Sequence, residues 1–400
     1  MKNFSVLLLI LLPGLNASAQ WTSQLSGTTE TLLGVSFTST MNGFTVGTTG
    51  TIKHTITGGE SWNNESSGTG LFLRDVYFPD SLHGAIVGES GLILRTENGG
   101  ENWFNQNSTT TEHLVHVHFF DAQHGMATGQ NGVITTTTNS GNNWNLQESG
   151  VLVELSSVEM VTSLIAYAVG FDGTILKSTN GGIEWLLQTS GSNADLRSVS
   201  FVNTDIGYVA GYDGTILKTT DGGQVWSPQN SGSTNDLFAI HFTTSQIGTA
   251  VGTAKILRTV DGGEAWVNQP ISFTNDLYDV YFADNVQGWA AGQTGKIYHT
   301  DDGGGLTALT EQQIFTQSLS VYPNPSTDHL LITFELATAS SLEIYMNDLD
   351  GRELIRIKTP VLPRGKNCLP INISTFTSGS YVIQCKTKGL LFSRTLVFKP

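Results

Sequence analysis

Four histidines crowd one stretch of the chain: His113, His116, His118 and His124. Imidazoles at that density raise the chemistry of a metal centre. His116 and His118 are two residues apart, so on a strand they share a face at ~6.5 Å, from ~3.3 Å per residue. No third ligand is fixed by spacing, so no metal is assigned, and the better account is the polar wall of a channel. Glycoside hydrolysis would need a different set: an arginine cluster for a carboxylate, a Tyr/Glu nucleophile pair and an acid. Arg74 and Arg197 each follow a Leu in one repeated phrase, while Arg95 and Arg258 recur at a second position that Lys53, Lys177 and Lys218 also occupy. Residues at equivalent positions of a repeat are spread round a closed array, not gathered. Acids are plentiful, but no carboxylate pair stands apart from the repeat. The Gly-x-x-Gly turns join strand to strand with no helix after them, unlike a phosphate loop. No catalytic residue and no cofactor is assigned.

The elements behind these residues are written seven times. Trp recurs at Trp21, Trp62, Trp103, Trp144, Trp185, Trp226 and Trp266, with five intervals of 41 residues and one of 40. A period near 40 marks a supersecondary unit that buries its apolar face only by stacking on copies of itself. Each unit opens on Leu-x-x-Val-x-Phe, as in Leu73/Val76/Phe78 and Leu196/Val199/Phe201. That alternation predicts a strand with one buried face. A second strand ends in Gly, at Gly47, Gly88, Gly129, Gly170, Gly211, Gly252 and Gly292, and a two-residue turn leads to a third strand such as Thr215–Thr219. Then comes Thr219-x-Asp221-x-Gly223-x-x-Trp226. A short polar side chain here closes the turn on its own backbone, the Gly supplies a positive φ, and the Trp starts an outer strand and covers the turn. Asn98, Asn139 and Asn180 replace the Asp, and Thr57 departs from the pattern.

Four strands in each of seven units predict an all-β fold, a seven-bladed β-propeller. The seventh box, Thr300-x-Asp302-x-Gly304, has no Trp strand after it, and Trp21–Gly27 is a Trp strand with no box before it. Joining the two orphans gives a strand-swapped closure that removes the exposed edges. The box resembles the Asp-box of sialidase-type propellers. The whole pattern, Trp-x-x-x-x-Ser-Gly…Val-Gly-x-x-Gly-x-Ile…Asp-Gly-Gly-x-x-Trp, resembles the photosystem II assembly-factor family over about residues 21–305. That resemblance implies the fold and leaves the task open, because propellers host unrelated functions.

After a polar linker at 306–317, residues 318–400 change character. They contain Tyr322-Pro323-Asn324-Pro325, Asp348-Leu349-Asp350-Gly351-Arg352, Leu362-Pro363-x-Gly365-x-Asn367, Phe376-Thr377-Ser378-Gly379-Ser380-Tyr381 and a terminal Thr395-Leu396-Val397-Phe398-Lys399. In that order the motifs resemble the type A C-terminal sorting domain of the type IX secretion system. The resemblance implies a small C-terminal β-sandwich read by the type IX secretion machinery. In that family it is commonly removed by a sortase-like peptidase, with the cargo released or attached to surface lipopolysaccharide. Alternating segments predict strands at 330–336, 342–346, 354–357, 381–385 and 391–398, with a hairpin turn at Asp350-Gly351. The two cysteines, Cys368 and Cys385, either bridge in an oxidising compartment or are two small strand residues.

Composition bounds the partners. Charged residues are 13% and glycines number 45, which suits short strands and tight turns. Residues 20–317 hold 9 Lys+Arg against 28 Asp+Glu, a net of −19, and residues 318–400 hold 9 against 6, a net of +3. So acidic a body repels phosphate backbones, which argues against nucleic acid. Lys2, the apolar run Val6–Leu12 and Ala17-Ser18-Ala19 form an export signal over residues 1–19, too short to span a bilayer. No transmembrane segment is read elsewhere, and the product is expected outside the cell or on its outer surface, by way of the periplasm.

Candidate binding residues come from the most variable face, where turns between strands two and three meet the loops from strand four to the next strand one. These are Glu89, Phe171, Asp172, Tyr212 and Asp213 from the turns, and Glu154, Asp195, Asp236 and Asp276 from the loops. Inside the channel, Tyr77, His118, Glu159, His241 and Tyr281 occupy one repeat position, shared with Ser36 and Ser200. Aromatic and acidic groups at a channel mouth suit an extracellular protein or glycan. Asp before a strand also simply turns the chain, and acids keep a surface soluble. The expected function is a non-enzymatic binding or scaffold propeller. A secreted glycoside hydrolase of Asp-box type is the alternative, and a purely structural surface protein is the third reading.

Overall fold

The computed structural model describes residues 21–269, 274–304, 315–336, 341–348, 353–387 and 390–399. The export-signal stretch, linker residues 306–314 and Asp350-Gly351 lie outside them. Two compact units emerge, Gln20–Gly304 and a second that holds Gly305–Pro400.

The first unit is seven four-stranded antiparallel sheets. Blade 1 is built from β2 (Leu32–Phe37), β3 (Gly43–Gly47), β4 (Thr51–Thr55) and β5 (Asn63–Ser66), paired in that order. Blades 2 to 6 repeat the plan, with innermost strands Leu73–Tyr77, Leu114–Phe119, Leu155–Met160, Leu196–Phe201 and Leu237–Phe242. Blade 7 supplies Leu277–Phe282, Gly288–Gly292 and Lys296–Thr300, and takes its outer strand from β1 (Thr22–Leu25). Thr22 faces His299 and Leu25 faces Lys296 in that pairing.

Packing repeats with the pattern. In every blade but the fourth a Phe at the end of the inner strand meets the box Trp edge-on, as in Phe37–Trp62 (6.0 Å, 89°) and Phe201–Trp226 (5.9 Å, 89°). Trp21 takes the same place in blade 7 against Phe282, at 5.8 Å and 89°, so the first strand completes the last core as well as its sheet. Edge-to-face pairs of this kind add ~0.5–1.5 kcal/mol beyond burial.

The same Phe explains a glycine. A Cβ at Gly207 would lie 2.5 Å from the Phe201 ring, and at Gly43 it would lie 2.4 Å from Phe37. Blade 4 alone has Ala166 there, and it alone has Met160 in place of the Phe. Unbranched Met bends away from a Cβ that a rigid ring cannot avoid.

The turns divide by end. Between strands two and three, both central residues have positive φ in every blade but the sixth, as at Ser90 (57°) and Gly91 (70°), and Leu92 N–H donates to Glu89 O at 3.1 Å. This is a type I′ turn, whose twist matches the strands it joins. Between strands three and four the box closes on itself. Thr219 Oγ1 donates to Asp221 Oδ1 (2.8 Å) and accepts Gly223 N–H (2.9 Å), while Asp221 Oδ1 accepts Val225 N–H (3.0 Å). Asn98 and Asn180 do the same through Oδ1, accepting Asn102 N–H (3.1 Å) and Glu184 N–H (3.0 Å). Thr57, which breaks the sequence pattern, preserves the contact: its Oγ1 accepts Ser61 N–H at 3.1 Å.

The second unit packs a three-stranded sheet (Phe315–Tyr322, His329–Leu336, Gly365–Asn372) and a four-stranded sheet (Glu353–Lys358, Glu343–Asp348, Gly379–Thr387, Leu390–Lys399). Leu330, Ile332 and Phe334 of one and Ile344, Met346 and Ile383 of the other share a core, as in a small sandwich. Strands at 315–322 and 365–372 were not read from the sequence, since neither alternates cleanly. Cys385 is buried, and burial pushes its thiol up to about 12, while Cys368 is exposed on the other sheet; both are free.

Candidate functional site

The seven innermost strands stand side by side around a central channel. Their inward edges, facing the channel, carry backbone N–H groups with no strand to pair with. Side chains of the preceding blade serve them instead. His116 Nδ1 accepts Val158 N–H (3.3 Å), His118 Nδ1 accepts Met160 N–H (3.2 Å) and Glu159 Oε2 accepts Phe201 N–H (2.7 Å). Ser198 and Ser200 accept Ile240 and Phe242 N–H, both at 3.1 Å. Donor and acceptor are 42 residues apart in each case, one blade on.

The residue before the strand-one Val makes a ring toward the mouth: Gly34, Asp75, His116, Ser157, Ser198, Ala239 and Asp279. Gly34 and Ala239 have no acceptor to offer. In each case the next blade holds an Asp that uses both oxygens. Asp75 accepts its own Val76 N–H (2.8 Å) and Val117 N–H of blade 3 (2.9 Å). Asp279 accepts its own Val280 N–H (2.8 Å) and Val35 N–H of blade 1 (2.8 Å). The aspartates stand where a missing side chain would otherwise orphan a donor.

Burial sets the charge of this wall. It raises the Asp75 and Asp279 carboxyls, Asp279 also feeling Asp75, and it pushes Glu159 up to about 8. It drives His116 and His241 down to about 4 and His118 to about 3. The His116 side chain is 31% exposed to the channel, and desolvation by the protein around it is still the main cause of its lowering. At neutral pH the imidazoles are uncharged, and Glu159 is mostly protonated.

The channel holds two cavities. One of about 270 Å³ is walled by Tyr77, His118, Glu159, His241 and Tyr281, the residues expected there from sequence. Another of about 150 Å³ at the mouth includes Arg74, Arg197, Phe238, Tyr278, Asp75 and Asp279. Arg74 and Arg197 thus share one cavity, although their repeat positions suggested dispersal. Inner-strand positions lie so near the axis that the symmetry gathers them.

Each turn between strands two and three is bonded to the loop entering its own blade, as Tyr212 N–H to Asp195 O (2.9 Å) and Phe171 N–H to Glu154 O (3.0 Å). The candidate residues of this face therefore come together around the mouth, with divided tasks. Asp195 and Asp236 cap Asp172 N–H and Asp213 N–H, both at 3.0 Å. Glu89 accepts Phe72 N–H (3.2 Å) and pairs with Arg74 (3.7 Å). Glu154 pairs with Arg197 (3.3 Å), and Asp276 accepts Gln293 Nε2 (2.9 Å). Asp172 and Asp213 remain exposed. Phe171 and Tyr212 hold the Arg197 guanidinium between them, each ring centre 5.7 Å away. Tyr212, Phe238 and Tyr278 continue the arc at 6.1 and 5.3 Å. Phe238 and Tyr278 follow the strand-one Leu, as Arg74 and Arg197 do, and that shared position was the available signal.

The histidine cluster is dispersed by the fold. His113 accepts Ser90 N–H (2.9 Å) in a mouth turn, His116 and His118 stitch blades, and His124 pairs with Asp121 (2.9 Å) at the opposite end. The cations of the third strands grip the next blade's box: Lys177 and Lys218 donate to Gly222 O and Gly262 O, both at 2.7 Å.

Known proteins agree with this architecture. Residues 320–399 match the secretion system C-terminal sorting domain, which marks the chain for export by type IX secretion to the cell surface or the extracellular space. Among solved structures, a YCF48 bound to D1 peptide is 20% identical with a TM-score of 0.61, covering 70% of this chain and 94% of that one. YCF48 from Cyanidioschyzon merolae is 18% identical (TM-score 0.60; 70% and 98% covered), and the WD40 β-propeller domain of Doa1 is 14% identical (0.59; 70% and 97%). At such identities the likeness is one of fold. No curated protein matches. Residues 68–149, 148–230 and 226–311, together more than half the chain, match the family described as photosynthesis system II assembly factor YCF48, and this exported propeller belongs to that family.

Proposed function

We propose that the propeller is a non-enzymatic binding or scaffold module for an extracellular partner, which it engages at the channel mouth. The observation that supports this most is the arc of Phe171, Arg197, Tyr212, Phe238 and Tyr278 around the mouth cavity. Stiff aromatic rings and a stacked guanidinium lose little entropy on binding and are the usual anchors of an interface. Exposed Asp172 and Asp213 on an acidic rim favour a basic or cation-bridged partner and salt-sensitive association. A peptide is the first ligand class to test, because one solved relative is a YCF48 bound to D1 peptide. Against catalysis stands the use of the channel carboxylates as backbone acceptors.

Peptide and glycan arrays probed with the secreted chain test the reading. The expected result is a ligand set whose affinity falls about ten-fold or more with Tyr212→Ala and weakens with salt. Binding indifferent to Tyr212→Ala, to Asp213→Ala with Asp236→Ala, and to ionic strength would sink it.

The glycoside hydrolase alternative rests on one observation, that Asp75 and Asp279, both raised by burial, line both cavities. Turnover of sialosides or glucans that is abolished by Asp279→Asn would favour it over the binding role.

A further inference from the structure

The end of the propeller opposite the mouth has its own surface. There each blade's box turn is tied to the hairpin between strands one and two: Gly58 N–H donates to Met41 O, Gly99 to Leu82 O and Gly181 to Leu164 O, each at 2.9 Å, and Gly303 to Val286 O at 2.8 Å. Blades 5 and 6 make the same bond through Asp205 O and Gln246 O, both at 2.9 Å, and blade 3 makes it from Ser140 N–H to Gln123 O at 3.0 Å. Only the backbone carbonyl serves the fold at this position. Polar side chains suffice in blades 3, 5 and 6, so nothing in the fold demands an apolar one elsewhere. Yet Val286, Met41, Leu82 and Leu164 stand there, joined by Ile56 in blade 1 and Phe120 in blade 3, and all six are 41–64% exposed. They fall in blades 7, 1, 2, 3 and 4. Single exposed apolar residues are ordinary, but three at the equivalent position of adjoining blades 7, 1 and 2, with others in blades 3 and 4, mark an interaction surface.

Charge selects the occupant. The hairpins and boxes of this arc present Asp284, Asp301, Glu60, Asp80, Glu101 and Asp121. The Lys and Arg of blades 7 and 1 to 4 lie elsewhere, are buried or are engaged: Lys53 and Arg95 are 3% and 8% exposed, Arg74 lines the mouth, Lys296 follows a mouth turn and Lys177 donates to Gly222 O, while His83 and His124 of the hairpins pair with Asp80 and Asp121. A second copy of so acidic a chain, or an anionic lipid, would be repelled. We infer that this face docks a basic protein segment that seats apolar side chains on the arc from blade 7 to blade 4. The inference concerns the end away from the mouth and holds whether or not the mouth takes a partner.

The test titrates the secreted chain with a synthetic amphipathic Leu/Lys peptide and with a Ser/Lys peptide of equal charge. The Leu/Lys peptide is expected to bind about ten-fold tighter, and Leu82→Ser with Leu164→Ser to remove most of that preference while thermal unfolding stays unchanged. Gln246→Ala, in the polar sector, is expected to leave it intact. Equal affinity for both peptides would overturn the inference. So would a preference untouched by the Leu82/Leu164 change, or one lost instead on Tyr212→Ala at the mouth. A dimer that dissociates in the Leu82/Leu164 variant would assign the face to a second copy and overturn it equally.

Discussion

Asp279 Oδ2 accepts the backbone N–H of Val35 at 2.8 Å, joining the last blade to the first through their innermost strands. Its other oxygen holds Val280 N–H at 2.8 Å, because Ala239 in the preceding blade has nothing to offer. Asp279→Ala leaves two donors without their acceptor, each worth ~1–3 kcal/mol when buried and less where channel water reaches them. Asp279→Asn keeps one oxygen and is expected to cost about half as much. Urea midpoints of the two variants check this, and equal stability for wild type and Asp279→Ala would refute it.

The glycine that opens each second strand gives a sharper test. Gly207→Ala places a methyl 2.5 Å from Phe201 and is expected to cost ~1–3 kcal/mol by overpacking. Phe201→Met with Gly207→Ala reproduces the Met160 and Ala166 pair of blade 4 and should recover most of that loss. A double-mutant cycle measures the coupling, and additive effects would contradict the account.

Closure depends on Trp21, which is 9% exposed and lies against Phe282. Trp21→Ala is expected to cost ~3–5 kcal/mol, like other buried aromatic truncations. Hydrogen exchange should rise at Lys296–Thr300, the strand that β1 covers, and not at Ile216–Thr219 in blade 5. A uniform rise across the ring would count against a local seam.

Stability should peak in mild acid. Glu159, Asp75 and Asp279 are raised in the folded state, so their contribution is full below the ordinary carboxyl range, near ~4, and is lost as pH climbs through about 8 for Glu159. His116, His118 and His241 are lowered, so theirs is full above ~6.5 and is lost as pH falls toward about 4 and 3. Between those limbs the thermal midpoint is expected to be highest, near pH ~5–6. Glu159→Gln should flatten the alkaline limb, and an unchanged limb would remove Glu159 from the cause.

The blades were legible because their determinants are local and repeated. The Trp period, the Gly that ends strand two and the box each encode a turn or a packing pair within one unit. Closure was legible too, because a deficit at 304 matched an excess at 21. The stitches were not, since they join side chain to backbone across blades. Asp75 becomes intelligible only beside Gly34, a residue of another repeat. The same distance hid the roles of Asp195 and Asp236, whose partners Asp172 and Asp213 are 23 residues back. Thr57 misled because a hydroxyl can do a carboxylate's work in a turn while sharing none of its letters.

Thr22 bonds His299 across 277 residues, so the opening strand is made long before its partner exists. During synthesis the early part of the chain waits with an unsatisfied rim, and the ring locks only when blade 7 arrives. The export address at 320–399 is written just after that point. A product cut short before its seam can seal also lacks that address.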